Sequence, residues 1–242
     1  MALFPMARSR AAEAPEGFEP SYFAHPSNDD SRILSRYLAA EERQKTALLG
    51  MTMVVSIDAQ LPKLKKQGKM SALRMISKVG KITYRMLGFS GDASVKKDVI
   101  ARYLTAEVQA QGSSEDLGIS PQNYKFKFKG LERGDGRQVY VFHVSPRHKR
   151  VGLFKGEIWL DPETCMPVRE QGRFVKSPSI FFKKLEFVRE YAMNDGIAVP
   201  RHIESLVVTR IVGPVQLNID FANPAKTTAA EESGAASASG TE

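Results

Sequence analysis

The stretch FKGEIWLDPETCMPVREQGRFV, residues 154–175, decides the fold of this chain. Polar and apolar side chains alternate up to Leu160, a pattern typical of a strand with one buried face. Asp161 and Pro162 then stand where a type I turn favours them. Residues 167–175 return as a second strand, and because the connection is so short, the two strands are expected to pair antiparallel.

The same pattern of strands joined by short turns continues on both sides of this hairpin. Upstream, Tyr124, Phe126 and Phe128 alternate with lysines, so this strand has one apolar and one charged face. Further strands are predicted over residues 51–61, 70–77, 81–89, 139–144, 184–193, 203–212 and 215–221. About ten antiparallel strands do not lie flat, so the sheet is expected to curl.

Two segments have helical periodicity instead. Residues 31–50 place Ile33 and Tyr37 on one face, and a second helix begins with Ser94 as its N-cap and ends before Gly112. Two amphipathic helices are too few to cover both faces of so large a sheet. We therefore predict an α+β fold, a half-barrel of about ten antiparallel strands with two or three helices covering its concave face.

The ends of the chain differ in composition from its middle. Residues 1–30 contain four prolines, and residues 225–242 are rich in Ala, Ser, Gly and Glu. Both are predicted to be disordered around a single domain of residues 31–224. The ends carry net charges of −3 and −2, so of the +8 for the whole chain the domain carries +13. A surface of this charge favours anionic partners.

Membrane and export signals are absent from the sequence. No segment has the roughly 20 consecutive apolar residues of a membrane-spanning helix. The first 20 residues lack the apolar core of a secretory signal peptide, so either export does not use the usual route or the natural start lies upstream. Cys165 is the single cysteine, which excludes an intramolecular disulfide.

Residue patterns of catalysis and metal binding are also absent. The sequence contains no G-x-S-x-G, Walker A, H-E-x-x-H or C-x-x-C motif. None of the four histidines, His25, His143, His148 and His202, shares a metal-ligand spacing with another ligand. We therefore predict no catalytic residue, no metal and no cofactor.

Basic residues form two clusters. The first basic cluster is Lys63, Lys65 and Lys66, and the second is Arg147, Lys149 and Arg150. Nucleic acid is not expected as a partner, because the aromatic side chains of the strand over residues 124–129 face away from its lysines. Both clusters are interpreted as docking sites for an anionic membrane surface or an acidic protein, with an ordinary solvated surface as the alternative.

The strands carry more bulky apolar surface than two helices can cover. This excess favours an apolar cavity between the helices and the sheet. Its predicted lining is Met53, Val55, Ile57, Phe126, Phe128, Tyr140, Phe142, Ile158, Leu160 and Phe187. An acyl chain of about 14 methylenes buried there would supply roughly 11 kcal/mol. An ordinary filled core is the alternative interpretation.

The stretch that decides the fold also resembles a known family. Residues 156–164, followed by MPVR at 166–169, are similar to the strand–turn–strand of bacterial outer-membrane lipoprotein-sorting (lipoprotein localisation carrier-like) proteins. The family usually has a glycine where Cys165 stands here. The resemblance covers residues 31–222. It implies a half-barrel with a helical lid, carriage of lipoprotein acyl chains in the periplasm, and neither catalysis nor a metal.

We therefore expect a monomeric, non-catalytic protein that binds the acyl chains of a lipid or lipoprotein, for transport or sorting towards the outer membrane. A second hypothesis is a regulatory sensor module of the same fold that binds a protein partner. A third is a β-rich domain that binds anionic polymers, whose affinity would fall steeply with added salt.

Overall fold

Ten antiparallel strands form one open, curved sheet in the computed structural model, which describes residues 28–111, 117–134, 136–177 and 180–226. The strands are β1 (Met51–Leu61), β2 (Lys66–Ile76), β3 (Ile82–Gly91), β4 (Tyr124–Gly134), β5 (Arg137–Pro146), β6 (Phe154–Leu160), β7 (Pro167–Phe174), β8 (Phe182–Asn194), β9 (Ile197–Thr209) and β10 (Pro214–Lys226). Their order is β3-β2-β1-β10-β9-β8-β7-β6-β5-β4. The last strand, β10, thus joins the run β1–β3 to the run β4–β9, and among the described residues β3 and β4 are the unpaired edges of the sheet.

Two helices accompany the sheet. Helix α1 spans Asn28–Leu48. Helix α2 consists of three consecutive segments, Ala93–Val95, the π-helical Lys96–Ile100 and Ala101–Gln111. The carboxylate of Asp92 accepts a 2.8 Å hydrogen bond from the N–H of Ser94 and caps α2. The prediction of Ser94 as the N-cap is therefore wrong, because Ser94 already lies in the first helical turn.

The alternation of β1 shows which face of the sheet the helices cover. Met53, Val55 and Ile57 are at most 2% exposed, whereas Ser56 between them faces solvent. The buried side chains share one continuous core with helix residues such as Tyr37. The sheet therefore has a covered face, which carries the helices, and an outer face.

The backbones of β6 and β7 approach each other very closely at one point. Gly156 lies opposite Gly172 in the register, and a Cβ atom at Gly156 would come within 1.9 Å of the carbonyl oxygen of Gln171. Only glycine permits this approach. The hairpin that decides the fold therefore depends on a position without a side chain.

The predicted fold class is confirmed, since one open, curved sheet of ten antiparallel strands carries two helices. The limits of the domain stay a prediction. Helix α1 begins at Asn28 and β10 ends at Lys226, slightly outside the predicted limits of 31 and 224. Residues 1–27 and 227–242, for which disorder is predicted, lie outside the described residues. In the described part of the chain, neither helix has the length and apolarity to cross a membrane.

Candidate functional site

The ten residues predicted to line a cavity all lie on the covered face, in one core with the helices. Seven of them are at most 6% exposed, namely Met53, Val55, Ile57, Phe142, Ile158, Leu160 and Phe187. Tyr37 of α1 and Ile100 of α2 belong to the same core and are equally buried. Because protein cores are densely packed, an acyl chain can be buried among these seven side chains only when a helix moves away.

The other three predicted residues belong to an aromatic shelf, which consists of Phe126, Phe128, Tyr140 and Phe142 on strands β4 and β5. The ring of Phe128 lies 5.0 Å from that of Phe142 and 6.1 Å from that of Tyr140. Phe126, Phe128 and Tyr140 are half-buried, and Leu131, opposite Tyr140 in the register, is 49% exposed. At this edge the helices do not seal the covered face.

A charged pair interrupts the apolar character of the covered face. Arg189 of β8 donates a 3.0 Å hydrogen bond to the carboxylate of Glu170, its neighbour in β7. Glu170 is only 5% exposed. The same guanidinium nitrogen lies 3.4 Å from the hydroxyl of Tyr191, and burial raises the pKa of that phenol. Partners of this kind are what make a buried charge tolerable.

Helix α1 brings a further carboxyl group close to this pair. Glu41 is partly buried, and its Oε2 atom has no hydrogen-bond partner among the described residues. Loss of solvation, followed by the negative charge of Glu170, raises the pKa of Glu41 to about 7. Burial raises the pKa of the Tyr37 phenol as well, and the charge of Glu41 acts in the same direction. Near neutral pH, Glu41 therefore exchanges between its neutral and charged forms.

A second polar contact fastens α2 to the sheet. Arg74 of β2 donates a 3.1 Å hydrogen bond to the hydroxyl of Tyr84, and its guanidinium lies 3.4 Å from the carboxylate of Glu107 on α2. The Tyr84 hydroxyl in turn donates to Glu107 over 2.8 Å. The side chain of Arg74 is 10% exposed. Helix α2 is thus held by a nearly closed ring of polar groups in addition to apolar packing.

These polar residues were missed by the sequence analysis, although a signal exists for two of them. Arg189 lies two positions after the buried Phe187 in β8. Arg74 lies two positions after Ala72 and two before Ile76 in β2, and both of these neighbours are buried. Strand periodicity alone therefore assigns both arginines to the covered face. Their partner Glu107 has no such signal, because it comes from a helix that is distant in sequence.

Both basic clusters lie at the same end of the sheet. The first cluster is in and beside the β1–β2 connection, and the second is in the β5–β6 connection. Strands β1 and β5 are six positions apart in an antiparallel sheet, so they run in the same direction and finish at the same end. Lys66 is partly engaged, because its ammonium lies 3.1 Å from Asp92. Arg147 donates a 2.7 Å hydrogen bond to the carbonyl of Pro121.

Two open grooves were not predicted. One of about 480 Å³ has a mixed lining that includes Asp58, Lys69 and Phe89, and Lys69 pairs with Asp58 at 3.0 Å. The other, of about 240 Å³, is lined by Met53 and Phe221 among others. Each groove includes one residue of the predicted lining, Ile57 in the first and Met53 in the second.

Cys165 is buried, and two histidines contact neighbouring polar side chains: Oγ of Ser145 lies 3.2 Å from Nε2 of His143, and Oδ1 of Asp220 lies 2.6 Å from Nδ1 of His202. Burial raises the pKa of the Cys165 thiol, which makes it a poor nucleophile. No three His, Cys, Asp or Glu side chains among the described residues are placed to hold a metal ion. The backbone of Cys165 has a φ of +56°, the left-handed region that favours glycine. This conformation explains the glycine that the lipoprotein-sorting family usually has there.

The chain is similar to several solved structures. One is a LolA superfamily protein from Nitrosomonas europaea, with 13% identity over 82% of this chain and 93% of that one and a TM-score of 0.41. Another is an outer membrane lipoprotein-sorting protein domain from Vibrio parahaemolyticus, with 12% identity over 82% and 94% and a TM-score of 0.43. A third is the complex of MucA and MucB from Pseudomonas aeruginosa, with 11% identity over 80% and 99% and a TM-score of 0.27.

No protein-family model matches the chain, and a search of curated proteins gives no match. At these identities the likeness to solved structures concerns the fold alone. The structural neighbours include proteins of the kind that the hairpin around Trp159 resembles.

Proposed function

We propose that the protein binds the acyl chains of a lipid or lipoprotein between its helices and the covered face of the sheet, as a non-catalytic carrier in the bacterial periplasm. The observation that carries this proposal is the aromatic shelf. Phe126, Phe128 and Tyr140 stay half-exposed at the edge of an apolar interior that is otherwise closed. Large apolar side chains left in contact with water at the mouth of a core are typical of an apolar ligand site.

The register connects the shelf with the deepest part of the core. Phe142 lies opposite Ile158, and Tyr140 lies opposite Leu160. Both partners on β6 are fully buried. An acyl chain that enters over the shelf therefore meets a continuous apolar path along neighbouring strands.

Binding in this place requires that a helix moves. The interior is filled by the side chains of the protein itself, so the ligand replaces contacts that α1 or α2 makes in the free state. Burial of about 14 methylenes, worth roughly 11 kcal/mol, is enough to offset the loss of several buried hydrogen bonds of about 1 kcal/mol each. We propose that the free protein is the closed state and that the loaded protein is open.

A titration with a fluorescent fatty acid tests this function. Phe128→Asp places a charge on the shelf and should weaken binding by at least about tenfold, because a carboxylate is strongly hydrated. Lys127→Asp, the neighbouring position on the opposite face of β4, is the matched control and should leave binding unchanged. No binding by the unmodified protein, or equal losses in both variants, would refute the proposal.

Native mass spectrometry gives a second, independent test. The full chain is incubated with a detergent extract of bacterial membranes and re-isolated gently. We expect adducts whose masses correspond to lipids or acylated peptides, and Phe128→Asp should reduce them. A spectrum of protein alone, under conditions that retain a known lipid carrier's ligand, would count against a carrier.

A second candidate function, a regulatory module that binds a protein partner, is favoured by the edge strand β3. Met86 and Leu87 on this free edge are 50% and 54% exposed, and an unpaired edge can accept a further strand from another chain. A pull-down that returns one stoichiometric protein without lipid, and loses it in Leu87→Lys, would support this candidate. Retention of that partner by Leu87→Lys would exclude this edge as its site.

A further inference from the structure

The two ends of the sheet differ in charge. We call the end at which β1 finishes the basic end. Outside helix α2, its described connections contain seven basic residues, Lys63, Lys65, Arg147, Lys149, Arg150, Lys176 and Arg210, and one acidic residue, Asp92. The described connections at the opposite end contain two basic residues, Lys78 and Lys81, and three acidic ones, Asp161, Glu163 and Asp195. Among the connections between strands, positive charge is therefore concentrated at one end of the sheet.

Asp92, the single acidic residue of these connections, does not reduce the positive charge that the basic end presents to solvent. The carboxylate of Asp92 caps α2 through the N–H of Ser94 and lies 3.1 Å from the ammonium of Lys66. The hydroxyl of Ser94 donates to the same carboxylate, and this hydrogen bond, followed by those from Lys66 and the Ser94 N–H, lowers the pKa of Asp92 to about 2. The negative charge of Asp92 is thus neutralised by a helix terminus and one lysine. The remaining lysines and arginines make the basic end positively charged.

Three aliphatic side chains protrude at the same end. Leu64, Ile180 and Ile211 are 47%, 80% and 67% exposed, and each occupies a different connection, β1–β2, β7–β8 and β9–β10. A single exposed leucine needs no explanation. Here, however, three exposed aliphatic side chains lie on adjoining turns and are surrounded by seven cationic residues. Together they form a surface that is both apolar and positively charged.

The three turns contact one another. The backbone N–H of Arg210 donates to the carbonyl of Phe181, and its guanidinium donates to the carbonyl of Ile180, both over 2.8 Å. The side chain of Lys63 passes 3.6 Å from the Cβ position of Gly213. The connection β9–β10 is therefore joined to both of its neighbours, and the three aliphatic tips belong to one surface.

Hydrogen bonds inside the turns fix the tips in their outward position. The N–H and the hydroxyl of Thr209 both donate to the carbonyl of Gly213 over 2.9 Å, and the N–H of Val212 donates to the Thr209 hydroxyl. Lys65 closes the β1–β2 turn through its N–H to the carbonyl of Pro62, with a left-handed φ of 51°. Since these two turns are pre-organised, insertion of Leu64 and Ile211 into an apolar medium costs little conformational entropy.

We infer that the basic end is a docking surface for an anionic lipid bilayer, with Leu64, Ile180 and Ile211 inserted among the acyl chains and the surrounding lysines and arginines at the level of the phosphates. Charge complementarity supports this occupant, because anionic bilayers attract basic segments. The tips are aliphatic, so they insert into hydrocarbon but cannot stack on nucleic-acid bases. A fluid bilayer also needs no matching shape, so it can accept three protruding tips without a complementary pocket for each.

Co-sedimentation of the full chain with lipid vesicles tests this inference. Vesicles of phosphatidylcholine with about 30% phosphatidylglycerol should bind the protein, and vesicles of phosphatidylcholine alone should bind it much more weakly. Leu64→Ser combined with Ile211→Ser should lower the partition coefficient at least about tenfold. Lys63→Gln combined with Lys65→Gln should lower it by about fivefold for each lysine.

Matched controls come from the opposite end of the sheet. Val79 is 89% exposed in the β2–β3 turn, so Val79→Ser removes an aliphatic tip that is even more exposed, and Lys78→Gln with Lys81→Gln removes two lysines beside it. Neither control should change the partition coefficient. Equal losses in the controls, or binding that ignores the phosphatidylglycerol content, would overturn the inference. Loss of a co-purifying acidic protein in the variants, without any vesicle binding by the parent chain, would also overturn it.

Docking and acyl-chain binding are separable in this design. The fatty-acid titration reports the covered face and should be unaffected by Leu64→Ser with Ile211→Ser, whereas Phe128→Asp should leave vesicle binding intact. A protein that docks but binds no fatty acid would refute the proposed carrier function and retain the inference about the basic end.

Discussion

Gly134 lies against the indole ring of Trp159 on the outer face of the sheet. A Cβ atom at Gly134 would be 2.6 Å from Cζ3 of Trp159. The guanidinium of Arg169 lies 4.9 Å from the centre of the indole on the adjacent strand, and Trp159 also packs against a small cluster of valines. The residue that marks the family resemblance is thus placed on the face opposite to the predicted ligand cavity, where it packs the outer surface of β5, β6 and β7.

Gly134→Ala should therefore destabilise the protein by about 1–3 kcal/mol, because the added methyl group forces the indole to shift. The free energy of unfolding is measured by urea denaturation. Trp159 is the sole tryptophan, so its fluorescence reports the displaced ring directly. Gly88→Ala is the matched control on an edge strand, where a Cβ atom would meet nothing within 4 Å, and we expect a change below about 1 kcal/mol.

The pair Arg189–Glu170 predicts a large difference between single and double substitutions. Arg189→Met leaves the carboxylate of Glu170 buried without its partner and should cost about 3 kcal/mol. Arg189→Met combined with Glu170→Leu removes both charges and should be more stable than the single variant. The comparison pair is Arg201–Glu190, which joins β9 to β8 at 2.6 Å but has Arg201 64% exposed. Arg201→Met should therefore cost less than about 1 kcal/mol, and equal costs at the two sites would contradict the buried role of Arg189.

The strand pattern could be predicted from the sequence because each strand buries only one face. Ile158 and Leu160 are fully buried while Trp159 between them is on the other face, as the alternation requires. The helices were recognisable for the same reason, since Ile33 and Tyr37 repeat with helical spacing and are both buried. Local periodicity carries this information.

The position of β10 could not be predicted in the same way. It pairs with β1, with Ile57 opposite Ile219, although the two strands are separated by most of the chain. No short turn connects them, so no local signal specifies the pairing. The polar contacts were missed for the same reason, because Arg74 meets Glu107 only after α2 has packed across the sheet.

Glu107→Gln should weaken the attachment of α2. It removes the negative charge beside the buried guanidinium of Arg74, and we expect a loss of about 2 kcal/mol in stability together with faster association of the fluorescent fatty acid in stopped-flow measurements. Asp98→Asn is the matched control, since Asp98 pairs at 3.4 Å with Arg102 of the same helix and does not reach the sheet. Faster uptake in both variants would show that loss of helix stability, rather than detachment from Arg74, controls access.

The raised pKa of Glu41 predicts that stability falls as the pH rises. In the folded protein this pKa is about 7, compared with an ordinary value of 4.5, so between these two values the folded state holds the proton more firmly than the unfolded state. The contribution of Glu41 to the free energy of unfolding is therefore largest below about pH 4.5. It decreases by up to about 3 kcal/mol as the pH rises through 7. The charges that act on Glu41 are those of Glu170, Lys45, Glu42 and Arg189.

Glu41→Gln should remove this dependence, so that the variant exceeds the parent protein in stability at pH 8 and matches it near pH 4.5. Glu42→Gln, one position further along α1 with a side chain 77% exposed, should keep the slope of the parent protein. Asp92 does not confuse the measurement, because its pKa of about 2 leaves it ionised throughout this window. A parent protein whose stability rises between pH 5 and 8, with no change of slope in Glu41→Gln, would show that Glu41 is solvated and that α1 does not hold it against Glu170.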